Sequence, residues 1–261
     1  MASTSTLDDV RSLLINSGNI AKLNRFGSTS VLTPVDEVIS GLSSAFQLWY
    51  SSEVSTCNKD HADCRHPSFA DTIEASERDE LVVTVKLFPS DFDPEKLEEA
   101  VTTALKELNV GHVDNIILSF PFHSKAGSSQ ESMKALWKRL ENLQKRSLVT
   151  NLGVSDLDKP ELEVLYQAAE VKPYLNQINM ASCCVLPKDL VSYAKDKDIK
   201  LVITGDPRAL VTQQTLGEIL SIESVDSGCW NPLWTIRYRS VTKYTGVIRH
   251  HGYLVKCARE C

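Results

Sequence analysis

From Leu81 onward the apolar positions follow two alternating rhythms. Short runs rich in β-branched residues, LVVTVKLF (81–88), VDNIILSF (113–120), LVTNLGV (148–154), LNQIN (175–179) and IKLVIT (199–204), predict strands. Between them apolar residues return every three or four positions, which predicts helices with one buried face. Asp93 and Pro94 open a helix carrying Leu97, Ala100, Val101, Ala104, Leu105 and Leu108, closed by Gly111. Ser128 and Glu131 form a capping box ahead of Met133, Leu136, Trp137, Leu140 and Leu143. Asp158, with Pro160 in the first turn and Glu161 three residues on, caps a helix that Pro173 breaks. A further helix spans Pro187 to Asp196. Strands recurring at intervals of roughly 24 to 35 residues, each followed by a helix, require right-handed crossovers and a parallel sheet. The expected fold is therefore α/β, a closed (β/α)8 TIM-type barrel, with an open doubly wound sheet as the alternative. No GxGxxG follows a strand, which disfavours a Rossmann domain.

The ends are less regular. TLDDVRSLLINS reads as a short helix ending at Gly18, and NIAKLNRF as a first strand. Thr33 and Pro34 start a clearer helix with Val35, Val38, Ile39, Leu42, Ala45, Phe46 and Trp49 on one face. Residues 51–79 turn polar without a period and read as a long loop. Beyond residue 205 the expectation is a polar helix around Thr212 to Ile222, then an aromatic-rich helix at WNPLWTIRYRSV. GVIRHHGYLV follows as a strand pair, or a strand with a turn at Gly252. All of this suits a single domain over 1–261 with an irregular N-terminal part.

Charge and cysteine content narrow the function. A net charge of -6 without a basic stripe argues against nucleic acid. No run approaches the roughly 18 apolar residues of a membrane span, and MASTSTLDDV lacks the features of a secretory signal, so the expected location is cytoplasmic. Seven cysteines at irregular spacing then read as mostly reduced thiols. Cys57, His61, Cys64 and His66 are metal-ligand types, but without a CxxC or HxxxH signature no metal is expected. Lys86 lies inside an apolar strand, where an inward lysine must be paired or deprotonated. Cys183 and Cys184 follow a strand end and rarely bond to each other as neighbours. They are either a thiol facing a partner or two half-buried small hydrophobes. Cys229, Cys257 and Cys261 are weaker candidates of the same type, and His250 and His251 read as a surface turn. Trp230 and Trp234 are either partner contacts or core.

The strand VKLF with its lysine, the strand VDNIILSFP, GVSDL and PYLNQI resemble the aldo-keto reductase superfamily. That resemblance implies a (β/α)8 barrel binding NADPH across its mouth. Within it, GVSDLDKPELEVLYQAAEVKPYLNQINMASCCVLPKDL, WNPLWTIRY and GVIRHHGYLV are similar to the family of glutamate–cysteine ligase regulatory (modifier) subunits, a non-catalytic offshoot. The resemblance implies a catalytic subunit as heterodimer partner, with Cys183 and Cys184 as candidates for an intersubunit disulfide.

Reductases of this fold use a tyrosine, a lysine, an aspartate and a histidine. Lys86 stands in the lysine position and Ser119 in the histidine position, and no Asp-x4-Tyr occurs in residues 1–80. Lys86 and Ser119 are thus read as vestigial. The amide-binding Ser, Asn and Gln correspond to Ser155, Asp156 and Gln177, while Gly205 and Asp206 stand where the nicotinamide-stacking aromatic belongs. Lys243, Arg249 and His250 leave some positive charge for the phosphate end. The expectation is a regulator without catalysis that holds no cofactor, or NADPH weakly. The alternatives are an NADPH-dependent reductase and an NADPH-binding sensor.

Overall fold

The computed structural model describes residues 7, 10–23, 33–51, 60–65, 72–121, 130–179, 185–221 and 229–260. The β/α alternation forms as the pattern requires. It runs β3 (Leu81–Pro89), α3 (Pro94–Leu108), β4 (Val113–Ser119), α4 (Gln130–Lys145), β5 (Val149–Ser155), α5 (Lys159–Ala168), β6 (Leu175–Asn179), α6 (Lys188–Asp196) and β7 (Lys200–Thr204), with five consecutive parallel strands. Local chemistry sets the helix ends. Asp93 accepts from the Glu95 amide, and Asp158 and Glu161 make a reciprocal capping box. Asn109, in the left-handed region at φ 56°, caps the C-terminus of α3 in place of the expected Gly111. The predicted cap Ser128 lies outside the described residues.

The rest of the sheet departs from the sequence reading. Its order is β2-β1-β9-β8-β3-β4-β5-β6-β7, with β1 (Ser12–Asn16), β2 (His61–Arg65), β8 (Trp230–Thr242) and β9 (Ile248–Arg259). β8 and β9 form an antiparallel hairpin that joins β3 on one side and β1 on the other. The architecture is α/β, and among the described residues the sheet is not closed into the expected barrel by hydrogen bonds: β2 and β7 are its edges.

Five local expectations are corrected. TLDDVRSLLINS contains a strand, since SLLIN pairs with both β2 and β9, and Ile20 begins a short helix, α1 (Ile20–Leu23). Within 51–79 the segment HADCR is β2, paired with β1. WNPLWTIRYRSVT is strand β8, not a helix. Its decisive period is two, with Trp234, Ile236, Tyr238 and Ser240 all buried on one face. β9 runs unbroken through Gly252, where a Cβ would lie 2.1 Å from the Gly18 carbonyl oxygen and 2.3 Å from the Tyr238 hydroxyl. Glycine is there for close backbone approach, not for a turn.

Two cores cover the two faces of the sheet. α3 to α6 pack on the face carrying Val83, Val85, Leu87, Ile116, Leu118, Leu152 and Val154. On the other face, α2 (Pro34–Ser51) and α7 (Gln213–Leu220) pack on Leu13, Ile15, Val255 and Cys257. The predicted stripe of α2 is buried at Val38, Leu42, Ala45, Phe46 and Trp49. Trp230 and Trp234 belong to these cores, each 1% exposed.

Candidate functional site

Alternation along β3 puts Thr84, Lys86 and Phe88 on the α2 side of the sheet. Lateral register there aligns Lys86 with Arg237 of β8, and Arg237 with Tyr253 of β9. Asp206, just past the end of β7, closes the cluster. Lys86 Nζ donates to Asp206 Oδ2 at 3.0 Å, Arg237 donates to Oδ1, and Thr204 Oγ1 lies 3.0 Å from Oδ2. The Lys86 and Asp206 side chains are both 1% exposed. Burial lowers the Lys86 ammonium pKa, against the attraction of Asp206. For Asp206 burial pushes upward, but Arg237 and Lys86 outweigh it and hold the carboxyl below its ordinary value. The cluster is thus two cations sharing one buried carboxylate.

The residues matched to the cofactor amide site meet at the ends of β5 and β6. Ser155 Oγ donates to Asp156 Oδ2 at 2.8 Å, and the Asn179 amide donates to Asp156 Oδ1 at 2.6 Å. Asp156 has φ 58°, and its own amide donates to the Gln177 carbonyl at 2.7 Å. Among the described residues Gln177 Oε1 is buried without a hydrogen-bond partner. Ser119 Oγ donates to the Arg208 carbonyl at 3.0 Å, and Arg208 donates to the Asp156 carbonyl. A cavity of about 350 Å³ opens beside Asp156, Asn179, Leu190 and Arg208.

Lys243, Arg249 and His250 are not part of this mouth. Thr242 pairs with Leu81, the first residue of β3, so the β8–β9 turn sits at the opposite end of the sheet from Ser155 and Ser119. There Lys243 donates to the Asp79 carbonyl, while Arg249 and His250 approach Glu77 at 3.9 and 3.2 Å. His250 and His251 are buried in β9 rather than set in a surface turn, because the strand continues through them.

A second polar cluster ties α2 to the hairpin. His251 Nε2 is 2.8 Å from Glu37 Oε1, and Tyr253 donates its hydroxyl to the same oxygen at 2.5 Å. Arg239 Nε donates to His251 Nδ1 at 3.0 Å, which makes Nδ1 an acceptor and leaves the ring proton on Nε2, facing Glu37. The His251 hydrogen bond lowers the Glu37 pKa against an opposing push from burial, and Tyr253 adds to the lowering. Burial raises the Tyr253 phenol well above its ordinary value, and its bond to Glu37 raises it further.

Among the other candidates, Cys57, His66, Cys183, Cys184 and Cys261 lie outside the described residues. His61 on β2 contacts Asp63 at 2.7 Å and Lys256 at 3.0 Å, and Cys64 is buried in the α2-side core. Among the described residues no group of three or more His, Cys, Asp or Glu is placed to hold a metal ion. Cys229 is disulfide-bonded. Cys257 is fully buried with its thiol pKa pushed up to about 12 by desolvation, so it offers a partner nothing. Sequence reasoning missed Asp206 and Arg237 as functional neighbours of Lys86. The available signal was the requirement that Lys86 have a carboxylate.

The aldo/keto reductase family matches residues 68–207. The glutamate–cysteine ligase regulatory subunit of Homo sapiens is 33% identical over 273 residues, covering 99% of this chain and 97% of its own. The chain belongs to the glutamate–cysteine ligase regulatory subunit family. The regulatory subunit of Mus musculus is 34% identical over 256 residues, 95% of this chain and 93% of its own. An aldo/keto reductase structure from Brucella melitensis is 27% identical over 45% of this chain and 44% of that one, with a TM-score of 0.39. In this member of the regulatory-subunit family, then, the buried lysine of β3 is neutralised by a carboxylate from just beyond β7. No helix among the described residues is long and apolar enough to cross a membrane.

Proposed function

We propose that this chain binds the catalytic subunit of glutamate–cysteine ligase as a heterodimer, raises its efficiency in glutathione biosynthesis, and catalyses nothing itself. The observation that carries the reading is the end-to-end match to regulatory subunits. The geometry around Lys86 supports the absence of catalysis. Carbonyl reduction needs a proton donor whose pKa lies near the working pH. Tyr253, the tyrosine aligned with Arg237 in this layer, gives its proton to Glu37 in a hydrogen bond and has its pKa raised rather than lowered. The ammonium of Lys86 donates to Asp206, and the histidine position is Ser119, bonded to backbone. Lys86 and Ser119 are on this reading inherited structural residues.

The residues matched to NADPH do not come together as its site. Ser155 and Asp156 satisfy each other, and Lys243, Arg249 and His250 sit at the far end of the sheet, leaving Arg208, bonded to the Asp156 carbonyl, as the basic residue beside the cavity. One feature favours a weak sensor as the second reading: among the described residues Gln177 Oε1 is a buried acceptor without a donor, at the position matched to the residue that holds a carboxamide in reductases. A fluorescence titration that saturates below millimolar NADPH would establish that second reading.

Regulation by docking requires that the chain bind two states of the catalytic subunit with different affinities. Such a protein works in the cytoplasm beside its partner. The test is co-purification with the catalytic subunit, with and without reductant, followed by the rate of ligation. Complex formation and a faster rate are expected. No complex under either condition sinks the proposal, and a complex only without reductant means that a disulfide carries it.

A further inference from the structure

Register at the β2 edge brings four polar side chains together on one face of the sheet. Ser12 and His61 are partners in the parallel β1–β2 pair, and Asp63 follows His61 by two along β2. Lys256 of β9 pairs with Leu14, two positions on from Ser12, so it shares that face, on which Leu14 joins the α3-side core. Ser12 Oγ and Lys256 Nζ each lie 3.0 Å from His61 Nδ1, and His61 Nε2 lies 2.7 Å from Asp63 Oδ1. The regulatory reading uses none of these groups.

The hydrogen bonds fix the tautomer of the ring. An ammonium only donates, so Nδ1 accepts from Lys256 and the ring proton sits on Nε2, against the Asp63 carboxylate. His61 is then a neutral base whose lone pair lies within reach of Ser12, and Asp63 stabilises the imidazolium that forms when the ring takes a proton. The two ring nitrogens exchange the parts they play in a chymotrypsin-type triad, a constellation recognised by roles and geometry. The Ser12 hydroxyl also donates to the Asp60 carbonyl at 3.1 Å, which keeps it at this spot. Lys256 supplies a positive charge beside the hydroxyl, where an oxyanion would develop. By leaving Nδ1 for the carbonyl oxygen of an arriving acyl group, it frees the lone pair for the serine proton. The cluster is open to one side: the His61 and Asp63 side chains are 33% and 49% exposed, Ser12 is half-buried, and β2 is an edge strand.

We infer that Ser12 is an acylation site, a nucleophile that takes the acyl group of a small activated ester or thioester. Ser12 Oγ bonds to the acyl carbon as its proton passes to His61 Nδ1. The C–O or C–S bond to the leaving group then breaks, and the leaving group departs with that proton. Nothing is oxidised or reduced, and His61 ends neutral. The product is an O-acyl serine, one per chain, so the step is a modification rather than a turnover. This inference does not depend on the ligase reading.

The test is exposure of the full chain to p-nitrophenyl acetate near neutral pH, with the acetyl groups located and timed by mass spectrometry of its peptides. Ser12 is expected to be acetylated about a hundredfold faster than the exposed Ser221 of the same chain, the scale of a positioned general base. His61→Gln is expected to remove most of that advantage and Asp63→Asn about tenfold of it, with circular dichroism confirming that both variants fold. Independently of any variant, the advantage of Ser12 over Ser221 disappears in urea, because it comes from the fold. A Ser12 rate no faster than that of Ser221, acetyl groups confined to lysines, a His61→Gln chain that acetylates Ser12 as fast as wild type, or an advantage that survives urea each overturn the assignment.

Discussion

Asp206 is itself buried and neutralises two cations, the buried Lys86 and the partly exposed Arg237. Asp206→Ala removes the shared carboxylate and leaves a buried ammonium unpaired, which is expected to cost about 3–5 kcal/mol, read from the midpoint of urea unfolding. Lys86→Met is expected to cost clearly less, because Arg237 still neutralises Asp206. Glu37 gives a pH signature. Its folded pKa lies below its unfolded value, so its contribution is present above the unfolded pKa, about 4.3, and is lost as pH falls through the folded one. Glu37→Gln should therefore flatten the acid limb of a stability-against-pH curve, and an unchanged limb would refute the role given to His251 and Tyr253. Lys86 was legible in the sequence as an inward cation that needs a partner. Asp206 was not, because the two are 120 positions apart and the Gly205–Asp206 pair looked only like a missing aromatic.

For whole elements, legibility tracks the strength of the local signal. Caps and stripes gave α2, α3 and α5 because Asp93, Asp158 and Glu161 act on their own helices. Asp158→Ala is expected to cost about 1 kcal/mol in thermal or urea unfolding by removing the box that starts α5. β8 was misread because Trp230 and Trp234 stand four apart, a helical step, while the alternation that decides the matter is only visible once β3 and β9 flank the strand. The two cationic positions on its other face, Arg237 and Arg239, look like helix surface until their partners Asp206 and His251 are in place. Gly252→Ala tests the close packing of β9 against the β1–α1 connection. Its methyl would collide with the Gly18 carbonyl and the Tyr238 hydroxyl, so a loss of several kcal/mol is expected, on the scale of overpacking at rigid backbone.

At the scale of the molecule, the parallel β3 to β7 series was readable from periodicity alone, and the family resemblance supplied the architecture around it. What neither conveyed was that the hairpin enters the middle of the sheet, since pairing between distant strands leaves no local mark. The same hairpin sets Tyr253 beside Arg237 but commits its hydroxyl to Glu37. Purified chain is accordingly expected to turn over no generic aldehyde with NADPH, and turnover abolished by Lys86→Met would establish the reductase instead.

The hairpin also fixes an order of events. Ile15 pairs with Val255, so β1 leaves the ribosome about 240 residues before the strand that joins it to the rest of the sheet. Until then β1 has only β2 beside it, and β3 has an open flank where β8 will lie. So distant a pairing slows folding and lengthens the time during which apolar strands stand uncovered. A nascent chain of this kind needs shelter until its hairpin arrives, and a message cut short before residue 230 yields two unjoined half-sheets rather than a smaller working protein.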